Sequence, residues 1–303
     1  MTQFKIQGSV TMKKIFFVLV LITSSMAAFG LGSKEIPESV FKGKYVVAAA
    51  DVKNRDCILV DARGKTLSTI NGAVVLKWQE LATCGDGKPG DANWGVILDK
   101  ARLDKVLGDS GLDMNKEIVV FGDCNKAWGE EGRIVWELLV VGYRDVKFVD
   151  GGYQALVAAG FETALSGTKL PPVKVSTESV SKKFIIDTDE LSREYANFKV
   201  VDTRTTAEYN GAKKHGEKKG GRLPKAISIK FTDMFQANGL LKSNAEIENL
   251  IQAAGIKKTD KIVAYCTAGI RSAYMQLIFD MLGYDTRNYD ESFYRWCVVN
   301  DVE

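Results

Sequence analysis

The sequence predicts an α/β fold in two domains, each a mainly parallel sheet flanked by helices. Three observations predict it. Short apolar runs such as Ile262-Val263-Ala264-Tyr265 and Ile118-Val119-Val120-Phe121 have the length and content of strands buried on both faces. Segments with helical apolar spacing alternate with them and stop at glycines, as Arg133–Val141 does at Gly142. The same succession of runs also occurs twice, and internal repetition of a βα pattern argues two units of one kind.

The first unit covers residues 45–161. It opens with Tyr45-Val46-Val47 and continues with Cys57-Ile58-Leu59-Val60-Asp61-Ala62-Arg63, a buried strand ending in Asp-x-Arg. Ile70–Val75 reads as a turn and a strand, 116–121 as the fourth apolar run, and 145–152 as a last strand and turn before a short helix. Residues 162–183 carry Ser, Thr, Lys and Pro171-Pro172, the composition of a linker. The pattern returns over 184–303. Phe184-Ile185-Ile186 answers Tyr45-Val46-Val47, Phe198–Arg204 repeats the strand with Asp-x-Arg, and Ile262–Tyr265 answers Ile118–Phe121.

The N-terminus has a different character. Met12-Lys13-Lys14 is a basic start, Ile15–Ile22 an unbroken apolar run, and Thr23–Ala28 a small polar stretch with a cleavage position after Ala27. Residues 1–27 therefore read as a secretory signal peptide, with Met12 an alternative start. Export implies a periplasmic or secreted protein in an oxidising compartment. The chain has 41 basic and 38 acidic residues; without Lys5, Lys13 and Lys14 the two signs balance at 38 each, which removes the electrostatic case for nucleic-acid binding. One histidine and five cysteines without paired short spacing offer no metal site.

The chemistry concentrates at one stretch. Cys266 follows a strand, and Thr267-Ala268-Gly269-Ile270-Arg271-Ser272 leads into a helical segment that ends at Gly283. A cysteine in front of a helix meets unpaired backbone N–H groups and the positive end of the helix dipole. Arg271 adds a cation, and all three favour the thiolate. Gly269 allows the backbone to curl. The alternative for such a cysteine is a buried thiol at a strand end. Cysteine phosphatases place five residues between cysteine and arginine so that the loop wraps a phosphate; here four intervene, a ring better suited to one extra sulfur atom.

This Cys-Thr-Ala-Gly-Ile-Arg-Ser loop resembles the active loop of the rhodanese family of sulfurtransferases. Asp202-Thr203-Arg204 with Glu208-Tyr209 and Leu223-Pro224-Lys225-Ala226-Ile227 resembles the family's first conserved block, with Arg222 where that block has histidine and Lys225 where it has its second glycine. Val149-Asp150-Gly151-Gly152-Tyr153 resembles its closing block. The resemblance implies two rhodanese-like domains, the first non-catalytic and the second catalytic, with no cofactor. It implies Cys266 as nucleophile and persulfide carrier, Thr267 to Ser272 as its cradle, a small anionic sulfur donor such as thiosulfate, and a thiol or cyanide-like acceptor. A non-catalytic module for an envelope redox partner, a carrier of selenium or another chalcogen, and a phosphatase or arsenate reductase are the competing readings.

The first unit has Gly122 where the second has Cys266, and its loop counts three residues longer up to the glycine that ends the helix. Cys124 lies two positions further on. It reads as a second sulfur carrier, an inert thiol, or a disulfide partner; in the fold the resemblance implies, the partner is Cys84, whose loop runs toward the same end of the sheet. The charged run 213–222 reads either as a solvated loop or as a source of cations near Cys266.

Overall fold

The computed structural model describes residues 38–64 and 67–303; the expected signal peptide over 1–27 lies outside the described residues. The first half runs β1 (Val46–Ala48), α1 (Ala49–Val52), β2 (Cys57–Asp61), β3 (Thr69–Ile70), β4 (Val74–Val75), α2 (Lys100–Asp109), β5 (Glu117–Phe121), α3 (Glu130–Val140), β6 (Val146–Asp150), α4 (Gly152–Ala158) and β7 (Thr163–Ala164). The second runs β8 (Ile185–Ile186), α5 (Thr188–Glu194), β9 (Lys199–Asp202), α6 (Thr206–Tyr209), β10 (Ile227–Ser228), α7 (Asn244–Ala253), β11 (Lys261–Tyr265), α8 (Ile270–Met281), β12 (Asp285–Tyr289) and α9 (Ser292–Val299).

Each half builds a five-stranded sheet whose neighbours are all parallel, in the order β1-β6-β5-β2-β4 and, in the second, β8-β12-β11-β9-β10. Strand for strand the two orders coincide. The central strands are buried on both faces, as their unbroken apolar sequences require: Ile118 to Phe121 and Val263 to Tyr265 are fully enclosed. Central burial also fixes where a site can form, because the loops at the carboxyl ends of β9 and β11 are neighbours at the point where the chain turns into α8.

Two expectations change in detail. The run 70–75 is divided at Gly72, whose φ of +85° turns the chain. Its second part, β4, is the sheet edge, while β3 leaves the sheet and pairs antiparallel with β7 at the start of the expected linker. That linker is irregular but held down. Thr177 donates its N–H and its hydroxyl to Asp104 Oδ1 at 2.7 Å each, and Val173 N–H donates to Gly108 O.

The halves share a core. Helices α3 and α8 lie against each other, and one apolar cluster joins Ile134, Val135 and Phe148 of the first half to Phe231, Tyr274 and Ile278 of the second. Close approach depends on Gly132. A Cβ added there would sit 2.1 Å from Tyr274 Cδ2, and the Tyr274 ring cannot swing away, being fully buried among Phe148, Phe231 and Phe235. Gly132→Ala should therefore force the helices apart. Overpacking of this kind costs about 1–3 kcal/mol, and a urea melt of the variant should show a lower midpoint with fluorescence and circular dichroism changing together. An unchanged midpoint would show that the α3–α8 contact yields freely.

Candidate active site

Strand β11 delivers Cys266 to the end of the sheet, and α8 begins four residues later. The turn between them rests on Gly269, at φ +77°; a Cβ there would stand 2.5 Å from Asp290 O and 3.0 Å from Arg133 Nη1. Only glycine fits both the angle and the space. The start of α9 closes the loop from behind: Ser292 Oγ accepts the Cys266 N–H at 2.9 Å, Phe293 N–H donates to Cys266 O and Tyr294 N–H to Thr267 O. Cys266 is thereby almost wholly enclosed.

Enclosure alone would raise the thiol's pKa. It is nevertheless held below the ordinary thiol value: burial opposes ionisation, but the Arg271 charge, the N–H groups of Ser272 and Ala268 and the Ser272 hydroxyl together outweigh it. This is the anion cradle that the order strand, cysteine, loop, helix implies.

Arg271 is not a free cation. Its guanidinium forks onto Glu208, with Nη2 2.8 Å from Oε1 and Nη1 3.0 Å from Oε2, and Nη2 also donates to Thr267 Oγ1 at 3.0 Å. Thr267 Oγ1 donates to Glu208 Oε1 at 3.0 Å, and Thr205 donates both N–H and hydroxyl to Oε2. Burial pushes the Glu208 carboxyl up, but Arg271 and Thr205 hold it well below the usual carboxylate range. Glu208, in a capping box at the start of α6, was visible in the sequence only as part of a resemblance; nothing in its spacing announces a partner at position 271.

The first half contributes directly. Arg133, fully buried on α3, donates to Gly269 O at 3.2 Å, to Asp290, to Glu137 at 2.7 Å and to Gly95 O at 3.3 Å. Asn288 Nδ2 also donates to Gly269 O, at 3.3 Å. A small cavity of about 70 Å³ above Cys266 is lined by Thr267, Ala268, Ile270, Arg271 and Tyr294, by His215 from the charged run and by Trp128 from the first half. Of the loop predicted from sequence, Cys266, Thr267, Ala268, Ile270 and Arg271 line this cavity, Ala268 and Ser272 give N–H groups to the thiol, and Gly269 makes the turn. Glu208, Ser292, Arg133, Trp128 and Tyr294 were not foreseen, because each arrives from a distant part of the chain.

The corresponding turn of the first half has the opposite chemistry. Gly122 follows β5, and Gly129 caps α3 in the same left-handed conformation as Gly269. The loop between holds residues 122–128 against 266–268, so the insertion is of four residues and not three; α3 is shorter by one before its closing glycine. Two positions past its capping glycine, where α8 has Arg271, α3 has Glu131. That carboxyl is fully buried and pushed up to about 8, by burial first and then by Glu130. Cys124 lies beside it at φ +51°, and burial together with Glu131 and Asp150 drives its thiol well above the ordinary range. The expected Cys84–Cys124 bond is not formed; all five cysteines are free thiols. Cys84 instead lies in the field of Arg133, Glu137 and Asp290, with its thiol raised to about 11 chiefly by burial. Among the described residues no group of three or more His, Cys, Asp or Glu could hold a metal ion, and no helix is long and apolar enough to cross a membrane.

These environments order the thiols. Under limiting iodoacetamide Cys266 should be alkylated first, with a pH midpoint below the ordinary thiol value of about 8.5, and Cys124 last. Arg271→Ala removes one of the influences favouring the anion and should move the midpoint up while leaving the N–H contribution in place. Peptide mapping across a pH series reads both effects; an unmoved midpoint would assign the low thiol pKa to the backbone alone.

Residues 187–298 match the rhodanese-like domain family. The chain is 26% identical over 256 residues to a thiosulfate sulfurtransferase of Corynebacterium glutamicum, covering 80% of each protein. It is 26% identical over 214 residues to the sulfur carrier protein TtuD of Thermus thermophilus, covering 66% of this chain and 74% of that one. A thiosulfate sulfurtransferase of Pseudomonas aeruginosa is 27% identical over 208 residues, 67% of this chain and 74% of that protein. Among solved structures, an anaerobic ergothioneine biosynthesis enzyme from Chlorobium limicola superposes with a TM-score of 0.73 at 19% identity, covering 86% of this chain and 70% of that one, which shows a common fold. With its paired parallel sheets and its cysteine loop between β11 and α8, the chain is similar to rhodanese-family sulfurtransferases over most of its length, and residues 187–298 carry the match to the rhodanese-like domain.

Proposed function

We propose that the protein is a sulfurtransferase that carries sulfane sulfur on Cys266. The observation that carries this reading is the buried Cys266 thiol, biased toward the thiolate by Arg271 and by N–H groups of the loop. In the first step the thiolate attacks the outer sulfur of a donor such as thiosulfate. A new S–S bond forms, the donor's S–S bond breaks, and its electron pair leaves with sulfite, so the enzyme keeps a persulfide anion. In the second step an acceptor such as cyanide or a thiolate attacks the outer sulfur of the persulfide. The Cys266–sulfur bond breaks, the pair returns to Cys266, and thiocyanate or an acceptor persulfide departs. Covalent catalysis of this form divides one awkward displacement into two. The loop N–H groups supply the electrostatic stabilisation, since they point at the same place in the thiolate and the persulfide.

Support comes from the relatives' names, which are those of sulfurtransferases and a sulfur carrier, and from the narrow loop with four residues between Cys266 and Arg271. The first half serves as a non-catalytic partner in this reading: its own loop presents Glu131 where a cation is needed. Export to the periplasm or beyond, from the sequence of residues 1–27, belongs to the same proposal.

Incubating the protein with thiosulfate should add one sulfur atom, read by intact-mass spectrometry and mapped to the peptide containing Cys266. Cyanide should remove it and release thiocyanate. Cys266→Ser should lose the adduct and the thiocyanate together. Thiocyanate formation by that variant at the wild-type rate would end the reading.

A further inference from the structure

The recognition of an anionic donor is unassigned once Arg271 is seen to be forked onto Glu208. Its charge is met at 2.8 Å and 3.0 Å by a carboxylate, and a Cys266 thiolate leaves the cradle with more negative than positive side chains. The lysines of the charged run, Lys213, Lys214, Lys218 and Lys219, are exposed and do not line the cavity. One group from that run does. His215 shares the cavity with Cys266 and Arg271, and its ring rests edge-on against Trp128 with centroids 5.5 Å apart.

The surroundings of His215 are built to hold it there. Its backbone N–H donates to Glu217 Oε2 at 2.9 Å, and its backbone carbonyl accepts the Tyr294 hydroxyl at 2.6 Å. Glu217 is buried although charged residues surround it in sequence. The neck of the loop is closed by contact of Gly220 with Gly211, where an added Cβ would meet Gly211 O at 2.1 Å. A loop that was merely solvated would not bury a carboxylate to fix one backbone unit. The result holds the chain's one imidazole against Trp128, in the wall of the cavity that Cys266 also lines.

We propose that His215, braced by Trp128, is the donor-recognition group of this site: its ring N–H takes the oxygens of an anionic oxo-sulfur donor while Cys266 meets the sulfane sulfur. This rests on the reading of Cys266 given above. The ionisable and polar groups facing the ring are Glu208, whose Oε1 is 3.7 Å from Nε2, Glu217 beneath its backbone, Arg271 and Cys266 across the cavity, and the Tyr294 hydroxyl. Lys213 and Lys214 flank it in sequence, and Glu130 lies behind Trp128, accepting its backbone N–H at 3.0 Å.

The test compares alkylation of Cys266 by anionic iodoacetate and neutral iodoacetamide. Both reagents need the same thiolate, so the ratio of their rate constants cancels thiolate fraction and reports recognition of the anion. His215→Gln should lower that ratio about tenfold, the scale of a hydrogen bond to a charged group, and raise the thiosulfate KM by a similar factor. His215→Arg should keep the ratio high, which separates lost recognition from lost folding. A ratio that His215→Gln leaves unchanged, with the wild type forming its Cys266 sulfur adduct from thiosulfate, would overturn this inference alone. A ratio that falls as expected in a protein whose wild type takes no sulfur from thiosulfate would uphold anion recognition by His215 and overturn the donor assigned to the site.

Discussion

A guanidinium without solvent is the constraint around which the molecule is arranged. Stripping an ion of water costs several kcal/mol, and a buried pair is tolerable only when the remaining donors also find partners. Arg133 satisfies this with Glu137 on its own helix, with Asp290 just after β12, and with the carbonyls of Gly95 and Gly269. Those partners come from both halves, so the network closes only when α3 stands beside α8 and the Cys266 turn is complete. Asp290 in turn accepts Ile97 N–H at 3.1 Å. Fixing the carbonyl of Gly269 also fixes the plane of the peptide joining it to Ile270, because a trans peptide points its N–H opposite to its C=O. The first half is thus a support for the loop's geometry, and the thiol at its own matching turn, Cys124, is buried beside Glu131.

Comparison of the two turns shows how little separates a cradle from an inert thiol. Both have a left-handed glycine capping the helix after the central strand. In the second half the strand is followed by Cys266, and the second helical position is a cation. In the first, Gly122 follows the strand and the second helical position is Glu131, a fully buried carboxyl that retains its proton more readily than usual. Once ionised, that carboxylate repels a thiolate, and in neither form does it supply the cation that Arg271 supplies in the second half. The longer loop carries Cys124 past the helix end and into contact with Gly152, where an added Cβ would lie 3.0 Å from its sulfur. Raised pKa, burial and an acidic neighbour all suppress the nucleophile.

What the sequence made legible was what depends on neighbours in the chain. The apolar runs of β5 and β11 have nowhere to go but a sheet covered on both faces, and the loop after β11 shows its chemistry because cysteine, glycine and arginine lie within six positions. The capping box Ser243–Glu246 at the start of α7 was there to be read as well. Pairings across the chain were not legible. Glu208 meets Arg271, and Arg133 meets Asp290, only after the strands have taken their places, and no periodicity encodes either. Arg133 did leave a local sign, a charge at the head of the apolar segment Ile134-Val135-Trp136, but its partner was not named by it. The Cys84–Cys124 pairing failed for a related reason. Sheet polarity brings two loops to one end without saying which side chains face, and here Cys84 turns toward the Arg133 network while Cys124 turns toward Glu131.

The charge balance at Cys266 separates two tasks that one arginine is easily asked to perform. Two like unit charges 4 Å apart repel by about 4 kcal/mol at an effective dielectric constant near 20, so a thiolate and a dianionic donor do not meet without compensation. Arg271 cannot supply all of it while Glu208 holds both of its Nη atoms. The fork does something different: it fixes Thr267 and the guanidinium in one arrangement, which in the proposed reaction would keep the loop's N–H groups converging on one point as the sulfur gains and loses its extra atom. Preorganised N–H groups then stabilise whichever sulfur anion is present, thiolate or persulfide, without reorganising between the steps. On the proposal made above, attraction of the donor falls to His215 in the cavity wall, where the charged run meets Trp128 of the first half. A cradle tuned to the sulfur and a mouth tuned to the rest of the donor can vary independently, and in this chain the second is assembled from residues that lie outside the loop.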